Sequence, residues 1–291
     1  MQPKDRFPYS PIIDRRPLRL PDGARVAVAT VVNLEHWDPD EPMPRQVMTT
    51  PAGVKAVPDV PNWAWHEYGM RVGFWRLKAA LDRFGVRATA SINASVCLEY
   101  PPIAQAILEA GWEFMGHGFR QKALSAIADE RAVIRRSIAT IRDFTGKPPR
   151  GWLGPGLVET ADTLDILAEE GIEYVCDWVM DDQPVEMKTR GGPIVMVPYS
   201  VELNDISIMV IQHHESRVLF ERTLEQFERL YQEGRESARV MALCVHPYIS
   251  GVPHRIAHFE RIFEELAKRP GVLFWTNEQI LDWYRAERGR G

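Results

Sequence analysis

The chain has 291 residues, of which 45% are hydrophobic and 26% are charged, as is ordinary for a globular protein. Its formal net charge of −5 and the lack of any basic stripe argue against a nucleic-acid-binding surface. No apolar run approaches the length of a membrane span, and the charged N-terminus has no apolar region of the kind a signal peptide needs, so we expect a cytoplasmic protein with no membrane partner.

The predicted elements alternate between strands and amphipathic helices from the first apolar run onward. A continuous β-branched run predicts a strand over 25–35. A helix is predicted over 70–85, with Val72, Trp75, Leu77 and Leu81 near one face. The next elements are a strand over 87–96, a helix over 103–111 and a strand over 112–117 that ends in a histidine.

The second half of the chain continues this alternation. Ile134, Ile138 and Ile141 recur at helical spacing and predict a helix over 129–144. The remaining predicted elements are a short strand or loop over 151–156, a helix over 161–170, strands over 173–178 and 194–200, a helix striped by Phe220, Leu224, Phe227 and Tyr231, a strand over 240–246, a helix with Ile256, Phe259, Phe263 and Leu266 inward, a strand over 271–275, and a last helix capped by Thr276 with Gln279.

Seven or eight such strand–helix units without a break in composition predict one barrel-like α/β domain over 1–291. An open doubly wound sheet is the alternative, but no glycine-rich phosphate loop follows the first strand. Residues 1–20 form an N-terminal arm. Two irregular stretches, 37–62 with six prolines and 180–192, are long enough to be lids or assembly surfaces.

Polar residues stand where several predicted strands end, which is where parallel α/β folds collect their chemistry. Strand alternation puts Asn33 and Glu35 on one face. His117 follows the third strand between two glycines, and His246 follows the strand over 240–246. Two histidines and a carboxylate at one mouth are typical of an acid–base or metal site. His36, His213 and His214 are expected to be structural or in loops.

The three cysteines, Cys97, Cys176 and Cys244, each lie in an apolar segment and are expected to be small buried side chains. Cys244 is two residues from His246, so a reactive thiolate at this position stays open. No Gly-x-Ser-x-Gly elbow, phosphate loop or His-Glu-x-x-His helix is present, which removes several common classes of hydrolase.

Five stretches of the sequence together resemble the polysaccharide deacetylase family (carbohydrate esterase family 4). The resemblance covers roughly 20–285 and is strongest to a divergent branch of cofactor-independent allantoinases, cyclic imide hydrolases and an unusual peptidoglycan deacetylase. It implies a distorted (β/α) barrel with seven or eight strands and, from the habit of the branch, a homotetramer. The matching stretches are VVNLEHWD (31–38), EYGMRVGFWRL (67–77), EFMGHGFRQ (113–121), RGWLGPG (150–156) and HPYISGVPHR (246–255).

The resemblance assigns roles to individual residues. Asn33 and Glu35 stand where typical members have two aspartates, a general base and a metal ligand, and His117 is the first of two histidine ligands. Gln121 replaces the second histidine, and a neutral amide is a poor zinc ligand, so no metal cofactor is expected. Zinc held by Glu35 and His117 is the alternative, completed by His36, Asp38 or His254.

The resemblance further implies that Glu35 is the general base and His246 the general acid. Donors to a developing oxyanion would be His117, the backbone N–H groups of 116–118 and Gln121. Expected substrate contacts are Asn33, Gln121, Arg150 as the family's substrate-side arginine, and Trp152 among the tryptophans of an apolar mouth.

The implied reaction is the hydrolytic opening of a small cyclic amide, imide or ureide, with a small molecule as the only partner besides copies of the chain. One alternative is a zinc-dependent N-deacetylase acting on a sugar or peptidoglycan. Another is a non-catalytic remnant that binds a small ligand.

Overall fold

One mostly parallel sheet forms the centre of the computed structural model, which describes residues 1–54 and 56–289. From one edge to the other the strand order is β6-β7-β5-β4-β3-β2-β1-β8, and β9 pairs with the first part of β1. Only β6 is antiparallel to its neighbour among these described strands. The strands are β1 (Val26–Leu34), β2 (Thr89–Ile92), β3 (Glu113–Gly116), β4 (Gly151–Trp152), β5 (Tyr174–Val175), β6 (Val185–Met187), β7 (Ile194–Met196), β8 (Arg239–Val245) and β9 (Val272–Phe274).

The sheet curls so that its two ends approach each other. The N–H of Val240 on β8 donates to the carbonyl of Asp182, just before β6. After β7, Asn204 forms a parallel bridge with Cys244 of β8. The predicted distorted barrel is therefore confirmed, with one antiparallel strand added at its edge.

Helices surround the sheet, and two π-helical segments interrupt them. These segments are Gly69–Gly73 and Ile206–Ile211. No helix in the described ranges is long and apolar enough to cross a membrane. The α-helices are α1 (Val60–Tyr68), α2 (Phe74–Arg83), α3 (Val96–Glu99), α4 (Pro101–Glu109), α5 (Glu130–Thr145), α6 (Thr163–Glu169), α7 (Ser216–Glu233), α8 (Pro247–Ser250), α9 (Ile256–Leu266) and α10 (Asn277–Gly289).

The two faces of β1 pack into different hydrophobic layers. Ala27, Ala29 and Val31 belong to the cluster inside the curled sheet, together with residues of β3, β5, β7 and β8. Val28 and Val32 belong to the outer layer, under the helices. Because side chains alternate along a strand, the inner row leads on to the polar residues that follow Val31. This alternation places the end of β1 at the mouth of the barrel.

The structure corrects the prediction for the helix over 70–85. Leu77 and Leu81 are buried as expected, but Val72 is 39% and Trp75 41% exposed. The helical period explains this difference, because at 3.6 residues per turn Trp75 lies about 200° around the axis of α2 from Leu77 and therefore on the opposite side of the helix. The irregular stretch 180–192 also contains β6, which the sequence did not predict.

Two glycines of the π-helical segment let it pack directly against the turn after β8. A Cβ at Gly73 would lie 2.1 Å from the carbonyl oxygen of Pro247, and one at Gly69 would lie 2.6 Å from the backbone nitrogen of Tyr248. Both distances are well below van der Waals contact, so only glycine allows this approach. The end of α1 is thereby fixed beside the residues that follow β8.

Candidate active site

Glu35 is buried immediately after β1 and is surrounded by donors. Its Oε1 accepts from Nε2 of Gln121 (2.9 Å), and its Oε2 accepts from Nε1 of Trp37 (3.1 Å) and the hydroxyl of Tyr248 (3.2 Å). A guanidinium nitrogen of Arg45 lies 3.8 Å from Oε2. Burial alone would raise the pKa of Glu35, but the positive charges of His246 and Arg45 outweigh it and hold the pKa well below its usual range. Glu35 is therefore a carboxylate.

His246 immediately follows β8 and faces Glu35 from the neighbouring strand. Its Nδ1 donates to Oδ1 of Asp205 (2.6 Å), and its Nε2 lies 3.5 Å from Oε1 of Glu35. Burial opposes a charge on the imidazole, but Asp205 and Glu35 together raise the pKa of His246 to about 9. The ring is therefore an imidazolium at neutral pH, with an Nε2 proton available to donate.

Asp205 orients His246 and was not predicted from the sequence. Besides Nδ1, it accepts from the backbone N–H of His246 (2.8 Å) and the hydroxyl of Ser250 (2.7 Å). It lies just before the π-helical segment Ile206–Ile211, 41 positions away from His246 along the chain. The only sequence signal is a polar Asn-Asp pair between two apolar stretches, which does not by itself indicate a histidine partner.

His117 follows β3 and is held in one tautomer. Its Nδ1 lies 2.6 Å from the carbonyl oxygen of Leu153, which can only accept, so Nδ1 carries the proton. Burial lowers the pKa of His117 to about 4, so the ring is neutral and its Nε2 is a lone-pair acceptor. The expectation that His117 donates to an oxyanion is therefore wrong for this tautomer.

The two amide residues lie at different depths. Gln121 is fixed from both sides, since its Nε2 donates to Glu35 and its Oε1 accepts from Asn93 (3.1 Å). Asn33 lies one layer deeper in the barrel, where its Nδ2 donates to the hydroxyl of Tyr199 (3.2 Å). Gln121 thus borders the catalytic carboxylate, whereas Asn33 supports the floor beneath it.

Two predicted substrate contacts lie elsewhere. Arg150 precedes β4, at the amino end of the sheet, and forms ion pairs with Glu173 (2.7 Å) and Asp282 (2.7 Å). Trp152 is fully buried in the outer layer between the sheet and the helices, where it packs beside Leu164. Neither side chain reaches the mouth of the barrel, so both assignments are corrected.

The side chains present do not fit a zinc ion. Across the described residues, no three His, Cys, Asp or Glu side chains are grouped as a metal site. The residues that could have completed one are engaged or exposed: Nδ1 of His36 bonds the hydroxyl of Ser95 (2.9 Å), Asp38 pairs with Arg120 (2.6 Å), and His254 is exposed. The side-chain N–H of Gln121 also points at Glu35, whereas a zinc ligand at this position would have to present a lone pair.

The first part of the proline-rich segment, residues 37–48, contacts this cluster through Trp37 and Arg45. Its Arg45 lies over the ring of Trp37, with 5.7 Å between the guanidinium carbon and the ring centroid, and reaches the hydroxyl of Tyr248 (3.4 Å). The backbone N–H groups of Val47 and Met48 donate to Oδ1 of Asn62, which anchors the segment to α1. Arg45 was not predicted, because no strand or helix pattern places a loop residue.

The thiolate alternative at Cys244 is not supported. All three cysteines are buried and unpaired, as expected for small apolar side chains. Burial raises the pKa of the Cys244 thiol to about 12, so it stays protonated at neutral pH.

Comparison with known proteins agrees with the resemblance seen in the sequence. The model of the polysaccharide deacetylase family matches residues 66–175. A Schizosaccharomyces pombe protein provisionally named a polysaccharide deacetylase is 26% identical and is covered over 92% of both chains. A peptidoglycan deacetylase from Helicobacter pylori is 24% identical over 72% of this chain and 83% of its own. The crystal structure of PuuE allantoinase superposes with a TM-score of 0.84 and 24% identity, covering 94% of this chain and 96% of its own.

Proposed function

From the polysaccharide deacetylase domain that this chain carries, we propose a hydrolase of carbon–nitrogen bonds other than peptide bonds, whose substrate is a small cyclic amide, imide or ureide. The proposed substrate class rests on the burial of the site residues. Glu35 is 5%, His117 2% and His246 4% exposed, and Arg45 of the proline-rich segment lies against Glu35 and Tyr248. A small ring can be enclosed in such a site, whereas a polymer needs an open groove.

The proposed reaction uses Glu35 and His246 as one acid–base pair. His117, an acceptor at Nε2, holds one hydrogen of the attacking water, and Glu35 takes the other as the oxygen adds to the carbonyl carbon. His246 gives its Nε2 proton to the ring nitrogen as the C–N bond breaks, leaving a ring-opened carboxylic acid and an N–H. Glu35 then returns its proton to His246 across the 3.5 Å between them.

The charge of His246 changes the basicity of Glu35 during the reaction. In the resting site that charge weakens Glu35 as a base. When His246 gives up its proton the charge disappears, so the basicity of Glu35 rises as the leaving nitrogen is protonated. The two transfers are therefore favoured together. Donors left for the developing oxyanion are the second amide hydrogen of Gln121 and the Arg45 guanidinium.

We propose that this cycle needs no metal, because the donor set around Glu35 does not fit one. Activity after exhaustive chelation, paired with elemental analysis, tests this directly. We expect full turnover by the metal-free protein. Stoichiometric zinc together with turnover that chelation abolishes and zinc restores would contradict the metal-free cycle.

The similarity to a peptidoglycan deacetylase supports a second candidate, removal of an acetyl group from an amino sugar. A turnover panel separates the two functions. It contains cyclic imides, hydantoins, dihydropyrimidines and allantoin on one side, and N-acetylglucosamine oligomers and peptidoglycan on the other. We expect ring opening only. Acetate release from the oligomers without ring opening would establish the second candidate.

A further inference from the structure

A third buried histidine, His66, lies beside the catalytic cluster without a role in the proposed cycle. It comes from α1 and is 2% exposed. Its ring is packed between two aromatic side chains that themselves contact Glu35, with centroid distances of 4.7 Å to Trp37 and 4.4 Å to Tyr248. His66 therefore belongs to the wall of the site rather than to the general core.

The hydrogen bond of His66 to its own helix fixes its tautomer. Nδ1 lies 2.7 Å from the carbonyl oxygen of Asn62, which can only accept, so the proton is on Nδ1. Burial lowers the pKa of His66 to about 4, so the ring is neutral near pH 7. Nε2 is then a lone-pair acceptor that cannot donate.

This acceptor is left without a partner. In the part of the chain that the structure describes, the buried Nε2 of His66 has no hydrogen-bond partner. The neighbouring donors of Trp37 and Tyr248 are directed at Glu35 instead. A buried polar atom without a partner destabilises the folded protein, and such atoms call for an explanation.

We propose that Nε2 of His66 accepts a hydrogen bond from a ring N–H of the cyclic substrate, which lies against Trp37 and Tyr248. This inference rests on the proposed function and adds a substrate-binding residue to it. A cyclic amide, imide or ureide offers what this wall requires, a planar apolar face and an N–H in the plane of the ring. An N-acetylated sugar offers no such planar ring.

The rigidity of His66 makes this acceptor selective. The Asp59 side chain caps α1 and bonds Nδ2 of Asn62 (2.9 Å), so the residue that fixes the tautomer of His66 is itself fixed. A site built around a hydrogen bond discriminates against ligands that cannot make it, because the buried partner is then left unpaired. Methylating the ring nitrogen of the substrate should therefore weaken recognition.

The test compares hydantoin with its two N-monomethyl isomers as substrates for three proteins. Wild type should favour hydantoin over at least one isomer by about 10-fold or more in kcat/KM. His66→Phe, which keeps an aromatic ring but lacks Nε2, should lose this preference, mainly through a raised KM for hydantoin. His66→Gln, whose side-chain oxygen can replace Nε2, should restore part of it.

His258 on α9 supplies the matched control, because one of its buried ring nitrogens is also without a partner. His258→Phe should leave the preference unchanged. Thermal unfolding checks that His66→Phe is folded. If wild type opens hydantoin and the folded His66→Phe variant keeps the wild-type preference, the role of His66 is wrong while the proposed function stands. If wild type neither binds nor opens any ring of the turnover panel, both fall.

Discussion

Glu35 and Glu113 are buried at opposite ends of the same sheet, and their pKa values shift in opposite directions. Glu35, after the carboxyl end of β1, has its pKa held well below the usual range. Glu113, at the amino end of β3, has its pKa raised to about 7. Both side chains are almost fully enclosed, so depth of burial does not explain the difference.

The neighbours of each carboxyl group explain it. Burial raises the pKa of Glu113, and the negative charge of Glu278 raises it further. Its partners are neutral donors: the Thr89 hydroxyl (2.8 Å), the N–H of Glu278 (2.9 Å) and the Tyr174 hydroxyl. Glu35, by contrast, faces two cations. The buried glutamate at the carboxyl end of the sheet is therefore held beside cations, whereas the one at the amino end is held by neutral donors, as expected when one end serves chemistry and the other stability.

Removing the cation opposite Glu35 should have the largest effect. His246→Ala should lower kcat by on the order of 10²–10⁴, because one acid–base group is lost. Steady-state kinetics on a ring from the turnover panel, with thermal unfolding as the check on folding, measures this. Near-wild-type turnover by the folded variant would remove His246 from the mechanism.

Lowering the pKa of His246 without removing its side chain should have a smaller effect. In Asp205→Asn the pKa of His246 should fall, because the charge of Asp205 is the first of the interactions that raise it. Activity requires protonated His246, so wild type should lose activity above about pH 9 and the variant at lower pH. We expect kcat to fall by about 10–100-fold at neutral pH, a usual size for loss of an orienting partner. An unchanged alkaline limb of the pH–rate profile would contradict this.

Arg45 is the second cation beside Glu35, and its substitution should have a smaller effect again. Arg45→Gln should lower kcat/KM by roughly 10-fold, about one charge-assisted hydrogen bond. It should also move the acidic limb of the profile to higher pH, since the charge of Arg45 helps to lower the pKa of Glu35. Arg45→Lys, which keeps the charge, should retain the wild-type acidic limb. If both variants show the same shift, packing rather than charge is responsible.

Glu113→Gln should leave catalysis unchanged and alter stability alone. Because the pKa of Glu113 in the folded protein is raised from 4.5 to about 7, its contribution to the free energy of unfolding is complete below pH 4.5 and is lost as the pH rises through 7. This loss is on the order of 2–3 kcal/mol. The free energy of unfolding, measured with denaturant between pH 5 and 8, should fall with pH in wild type and should have a shallower slope in the variant. Equal slopes would mean that Glu113 does not hold its proton.

The catalytic end was predictable from sequence only where strand geometry determines position. Period-two alternation placed Glu35 on the inner row of β1, and His117 and His246 were recognisable as the polar residues that end strands. Arg150 was misplaced because it precedes its strand and so lies at the other end of the sheet. The fold itself followed from the alternation of strands and helices.

The remaining site residues come from segments without a regular pattern. Asp205 follows an irregular stretch, and Arg45 lies in the proline-rich segment, so only tertiary packing brings them to Glu35 and His246. His66 lies on α1, which was not predicted because its first residues belong to the proline-rich segment.

The pKa of His246 is the most direct test of the account, because the opposed shifts of the two glutamates require a cation beside Glu35. A ¹⁵N NMR titration of the imidazole resonances measures it in the intact protein. The account predicts that both ring nitrogens of His246 stay protonated at neutral pH and titrate near pH 9. Titration at or below the ordinary value of 6.5 would show that His246 is neutral in the working protein, and the proposed acid–base pair would be wrong.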